Sequence, residues 1–203
     1  MQYNIILAGV GGQGILTIAK VISTAAIRRG WTVKQAEVHG MSQRGGAVYS
    51  HIRVSDREIH SDLIPNGECD LIIAMEPLES LRYVGSLRED GQIVANTTPL
   101  VNMTNYPNVE ELLDRICACS GNVLVDAERL ARTAGSVLAG NSVLLGAAST
   151  LLEFDSAELE NVLAEILIRK GDRVVEANRR AFRLGRSAAN AYAECLRRGA
   201  RPA

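Results

Sequence analysis

The stretch Asn4-Ile5-Ile6-Leu7-Ala8-Gly9-Val10-Gly11-Gly12-Gln13-Gly14 decides the fold class. Its apolar half, ending at Gly9, reads as a buried strand, and the glycines after it read as a tight turn. Apolar residues then recur at three- and four-residue spacing (Ile15, Ile18, Ala19, Ile22, Ala26) up to Arg28-Arg29-Gly30, which predicts a helix with basic residues and a glycine at its C-terminus. Gly9–Gly14 matches G-x-G-x-x-G between strand and helix, the context a dinucleotide fingerprint requires. Glycines let backbone amides approach an anion, and the helix N-terminus adds a favourable dipole. Gly11, Gly12, Gln13 and Gly14 are therefore candidate cofactor-binding residues, with Glu37, about twenty residues on, in the place of a ribose-holding acid. The alternative is a close-packed strand–helix turn with no ligand.

Outward from that turn, Thr32–Val38 and Ala47–Val54 read as strands two and three. The Gly40–Gly46 link is too short for a helical crossover, so these two strands should pair antiparallel. Asp70–Met75 is a fourth, wholly apolar strand; Pro77 suits the first turn of a helix running to about Glu89, and Gly91–Asn96 is a fifth strand. Val109–Cys119 reads as helix, Asn122–Val125 as a sixth strand and Ala127–Thr133 as helix. From Asn141 only helices are expected: Asn141–Leu152, Ser156–Lys170 and Asp172–Arg198. The fold class is α/β: a single Rossmann-like domain over 1–203, with a mostly parallel sheet carrying one antiparallel pair in a 1–140 core, and a helical C-terminal part over 141–203.

Composition excludes several classes. Of 203 residues 47% are hydrophobic and 22% charged, which fits a globular chain rather than a disordered or membrane-embedded one. A net charge of −1 and 4% aromatic residues leave neither the basic surface nor the rings for nucleic-acid binding. With no bilayer-spanning apolar run and no signal-peptide pattern, the chain is expected to be cytoplasmic and off the membrane. Cys69, Cys117, Cys119 and Cys195 are expected as buried free thiols, and His39, His51 and His60 are too widely spaced for one helical metal face, so no metal site is assigned. The last helix is basic. From Arg169 to Arg201 ten Lys/Arg face Asp172, Glu176 and Glu194, and Arg179, Arg180, Arg183 and Arg186 form either a solvated face or a seat for an acidic partner or phosphate. Ala181, Gly185, Ala188, Tyr192 and Cys195 recur on another stripe whose small residues admit a second helix.

A second cluster, Glu37-Val38-His39-Gly40-Met41-Ser42-Gln43-Arg44-Gly45-Gly46, leads directly into strand three. Arg44 before two glycines offers a cation beside exposed backbone, suited to a phosphate, a carboxylate or a partner's main chain, unless the glycines only make a hairpin bend. Met41, Ser42, Gln43, Arg44, Gly45 and Gly46 join the candidate cofactor-binding set. No nucleophile elbow, P-loop lysine or placed carboxylate pair is found, so no catalytic residue is assigned.

Together, Gly9–Gly14, the Glu37–Val54 stretch with its Ser42-Gln43-Arg44-Gly45-Gly46 centre, Glu76-Pro77-Leu78-Glu79 and Asn96-Thr97-Thr98-Pro99 resemble the gamma-type subunit of 2-oxoacid:ferredoxin oxidoreductases over roughly residues 2–150. The lead Val38-His39-Gly40-Met41-Ser42-Gln43, in place of a Ser-Tyr-Gly-Pro-Glu type, points to the indolepyruvate branch, whose small subunit is called beta. The resemblance implies a subunit that binds no cofactor alone. Thiamine diphosphate, magnesium and iron–sulfur clusters would sit on a large partner subunit, ferredoxin would be reached through the complex, and coenzyme A would be the co-substrate. It also implies that Gly11–Gly14 and Met41–Gly46 form a partner-facing or coenzyme-facing edge. An apolar patch is expected there, with self-association when the partner is absent. Two other readings stay open: a stand-alone NAD(P)- or flavin-binding oxidoreductase, and a non-enzymatic α/β interaction module.

Overall fold

The computed structural model describes residues 2–39, 46–119 and 121–198. In chain order the elements are β1 (Gln2–Val10), α1 (Ile15–Arg28), β2 (Thr32–His39), β3 (Ala47–Ser55), β4 (Cys69–Ala74), α2 (Pro77–Arg82), β5 (Leu87–Asn96), α3 (Val109–Cys117), β6 (Asn122–Val125), α4 (Ala127–Thr133), α5 (Gly140–Ala148), α6 (Ser156–Leu167) and α7 (Asp172–Arg197). The six strands form one sheet in the order β2-β3-β1-β4-β5-β6. β1, β4, β5 and β6 run parallel, which is why β1 from Ile5 to Ala8 and β4 from Leu71 to Ala74 are continuous apolar runs buried on both faces. β3 is antiparallel to β2, as its short link requires, and also to β1. It is therefore wedged between the first two strands of the chain.

The larger core lies on the sheet face covered by α1, α5, α6 and α7; a smaller one, around Ile6, Ile72, Ile93 and Ile116, lies on the other face. α7 is held against α5 by two glycines. A Cβ on Gly146 would stand 2.7 Å from the Phe182 carbonyl carbon, and one on Gly185 would stand 2.7 Å from that of Val143. The small-residue stripe is thus a backbone-to-backbone crossing. The arginines of α7 each find a partner within the chain, although Arg180 and Arg183 stay at the surface: Arg179 and Arg183 bond Glu160 at 2.9 and 2.7 Å, Arg180 Nε reaches the Ala134 carbonyl, and Arg186 reaches the Ser149 carbonyl at the end of α5. A cation at a helix C-terminus is the favourable end for it.

Two expectations need correction. The helix from Pro77 stops at Arg82, and after a 3-10 turn over Val84–Ser86 the chain is already strand at Leu87, not at Gly91. Gly85 weakens a helix at that point, and Leu87 finds Cys69 as its partner across the sheet. Of the four cysteines, all free, only Cys69 is buried, and burial pushes its thiol up to about 12. Cys117 is exposed, and Cys119 and Cys195 are half-buried, because they lie at the ends of α3 and α7 where few elements cover them.

Candidate functional site

The carboxyl ends of β1, β4, β5 and β6 share one edge, the usual place for ligands in an open α/β sheet. The glycine turn occupies it. Gly9 abuts its neighbours so closely that a Cβ would lie 3.1 Å from both Ile15 Cγ2 and Met75 Cβ, and Gly14 has φ +79°, which favours glycine. Gln13 is the brace of the turn: its Oε1 accepts from Val10 N at 2.7 Å and its Nε2 donates to the Met75 carbonyl at 3.2 Å. The Gly11 amide donates to the Gly46 carbonyl at 2.9 Å, and the Gln13 amide to that of Val10 at 3.1 Å. Two amides of the would-be phosphate cradle are thus already engaged. Gly12 is what the turn presents outward, with φ +103° and nothing within 4 Å of a Cβ position.

A shallow cavity of about 290 Å³ opens here, lined by Val10, Gly11, Gly12, Gly14, Ile15, Leu16 and Val48. None of these residues is charged or nucleophilic, and the first turn of α1 holds no acidic residue. A larger groove, of about 440 Å³, lies between α2 and α3 with Leu78, Leu81, Pro107 and Leu112 among its walls; none of the candidate residues lines it.

The Gly11–Gly46 bond ties the first candidate cluster to the end of the second. Met41, Ser42, Gln43, Arg44 and Gly45 lie outside the described residues. Glu37 is far from completing a dinucleotide site. It pairs with Ser50 on β3, which pairs with Leu7 on β1, so two strand spacings, roughly 10 Å, separate it from β1. The insertion of β3 displaces the acid that the fingerprint needs beside the glycine turn.

A layer of buried polar side chains underlies this edge, with roles that the sequence alone does not show. Glu76, 1% exposed, caps α2 by accepting from Glu79 N at 3.0 Å, while its other oxygen accepts from Leu100 N and from the Tyr106 hydroxyl. Asn96 donates to the Met75 and Thr98 carbonyls and accepts from Ala127 N at 2.9 Å. Asn141 donates to the Gly14 carbonyl at 3.3 Å. Glu79 bonds Arg82 through one oxygen, its other oxygen is buried without a partner, and burial raises its carboxyl above the usual range. Glu76, Glu79 and Asn96 stand in the two motifs that carry the family resemblance, but of these motifs only Pro77 had a structural reading, in the first turn of its helix. On the outer face of β3, His51 Nδ1 accepts from Ile64 N at 3.0 Å, and burial followed by Arg53 lowers its pKa. Among the described residues, no group of three His, Cys, Asp or Glu is placed to hold a metal ion, and no helix is long and apolar enough to cross a membrane.

The model of the pyruvate ferredoxin/flavodoxin oxidoreductase family matches residues 4–188. The chain belongs to that family. Among its relatives is the indolepyruvate oxidoreductase subunit IorB of Thermococcus kodakarensis, 37% identical over 196 residues covering 93% of this chain and 96% of that one. The gamma subunit of a keto/oxoacid ferredoxin oxidoreductase from Geobacter sulfurreducens superposes with a TM-score of 0.68 at 26% identity, covering 93% of this chain and 99% of that chain. The 2-oxoglutarate:ferredoxin oxidoreductase of Magnetococcus marinus, solved with 2-oxoglutarate, coenzyme A and succinyl-CoA, superposes with a TM-score of 0.75 at 23% identity over 94% of this chain, which spans 31% of that longer chain. The family fold is thus found both as a separate subunit and as one part of a longer polypeptide.

Proposed function

We propose that this chain is the small, cofactor-free subunit of an enzyme that oxidatively decarboxylates a 2-oxoacid of the indolepyruvate class to the acyl-CoA and passes the electrons to ferredoxin. The observation that carries the reading is the 37% identity, nearly end to end, with a relative named as an indolepyruvate oxidoreductase subunit. In this reading thiamine diphosphate, magnesium and iron–sulfur clusters sit on a large partner subunit and supply the decarboxylation and electron transfer. Gly11–Gly14 and Met41–Gly46 face that partner or coenzyme A, and two features support this. The Gly11–Gly46 bond holds the ends of both clusters together, and Gly12 leaves room for an approaching group. Gln13 then acts through the turn it braces.

The test is purification with and without the partner. Co-expression with the thiamine- and iron-bearing subunit should give one complex containing both chains, and the small chain alone should carry neither iron nor thiamine diphosphate. An isolated chain that binds flavin or a nicotinamide and turns over by itself would overturn the proposal.

A further inference from the structure

The chain is 22% charged, yet three long stretches contain no charged residue at all: 1–19, 91–109 and 133–152. The fold brings the loops of all three to the carboxyl edge. They are tied to each other there: Asn141 bonds the Gly14 carbonyl, a Cβ on Gly140 would stand 3.7 Å from Met75 Cε, and Glu76, next to Met75, holds Leu100 N. The same loops carry the three most exposed large aliphatic side chains among the described residues, Leu138 at 87%, Val137 at 68% and Val101 at 65%, with Leu16 and Leu100 also exposed.

Much of each stretch is core of β1, β5 or α5 and is uncharged for that reason, but the side chains their loops leave exposed, Val101, Val137 and Leu138, are apolar too, as in an interface core before the partner arrives. Leu138, Val137, Val101 and Leu100 themselves offer nothing to the phosphates of a coenzyme, which call for cations; the cation bonded to this loop is Arg180, on the Ala134 carbonyl. Resting on the reading of the chain as a small subunit, we infer that Leu138, Val137, Val101 and Leu100 anchor the large cofactor-bearing subunit, and that the matching surface of that subunit is itself apolar and uncharged. A second copy of this chain is the less suitable occupant. Relatives matched over nearly their whole length are named as subunits of an oxidoreductase, and a longer solved chain carries the same fold joined to further protein.

The experiment uses the co-expressed complex. Leu138→Asp and Val101→Asp would place a charge in the anchor, and Ile168→Asp, also on an exposed aliphatic, is the control. Each variant's thermal midpoint is measured first; the exposure of these side chains predicts little change. Affinity for the purified large subunit should fall about thirty-fold or more for Leu138→Asp, the size of an interface hot spot, and stay at the wild-type value for Ile168→Asp. If wild type binds the large subunit and supports turnover while both edge variants bind equally well, the interface assignment is overturned and the functional reading stands. If wild type does not bind the large subunit at all, both fall. If Leu138→Asp abolishes only self-association, measured by sedimentation of the chain alone, the occupant is a second copy and the inference is wrong.

Discussion

Replacing Gly185 with alanine sets two effects against each other. Alanine is the better helix former by about 1 kcal/mol, so an isolated helix with the sequence of α7 would gain from the change. In the folded chain the new Cβ would stand 2.7 Å from the Val143 carbonyl carbon and nearer still to its oxygen, and ordinary contact begins near 3.4 Å, so α5 and α7 must separate by more than 0.7 Å. The obstacle is backbone, which cannot swing aside like the end of a side chain. Separation also loosens Phe182, 1% exposed, and Ala181, fully buried, in the same seam. Overpacking of a tight core costs about 1–3 kcal/mol, and a backbone obstacle puts this site at or above the top of that range. The net loss expected is about 2 kcal/mol, or roughly 4–8 °C in Tm for a domain of this size. Gly146→Ala should behave alike, since its Cβ meets the Phe182 carbonyl in the same way. Thermal and urea unfolding of both variants by circular dichroism measure this. A Tm equal to or above that of wild type would refute the backbone crossing.

Other outcomes follow from the same geometry. Gln13→Ala removes the partner of Val10 N and one donor to the Met75 carbonyl, and should cost about 1–3 kcal/mol in urea unfolding while leaving helix content intact. Burial is the largest single influence on Glu160 and pushes its carboxyl up, but the hydrogen bonds and charges of Arg183 and Arg179 together outweigh it and hold the group below the usual carboxylate range. A lowered folded pKa means stability that is present above the unfolded value, about 4.3, and lost as pH falls through the folded one; Glu160→Gln should therefore be less stable than wild type at pH 7, with the gap narrowing in acid. Arg44→Ala should leave Tm unchanged and reduce coenzyme A-dependent turnover of the assembled enzyme roughly ten- to a hundred-fold, the worth of one charge-assisted hydrogen bond, with Arg44→Lys restoring it only in part.

Much of the fold was legible where local chemistry is decisive. Asn4–Gly14 combined a buried run with glycines that the turn requires, and the short link after β2 could only make a hairpin. That β3 would return between β2 and β1 was not legible, because a strand's own alternation does not name its second neighbour. The helix from Pro77 was read too long because Leu81, Val84 and Leu87 keep helical spacing, while the pairing of Leu87 with Cys69 is a long-range fact. The arginines of α7 show the same limit. Their partners Glu160, Ala134 and Ser149 lie far back along the chain, so the charge pattern shows a basic face, on which Arg180 and Arg183 do stay exposed, but not the bonds these arginines make there. At the candidate site the glycines were evident, but the supporting Glu76, Asn96 and Asn141 act through contacts that only the assembled sheet creates.

The measurement closest to the central claim is reduction of ferredoxin by the purified large subunit, titrated with this chain in the presence of indolepyruvate and coenzyme A. Turnover should rise with added chain and saturate when the two are in complex, and neither protein alone should form acyl-CoA. Full activity of the large subunit by itself, with no response to this chain, would contradict it.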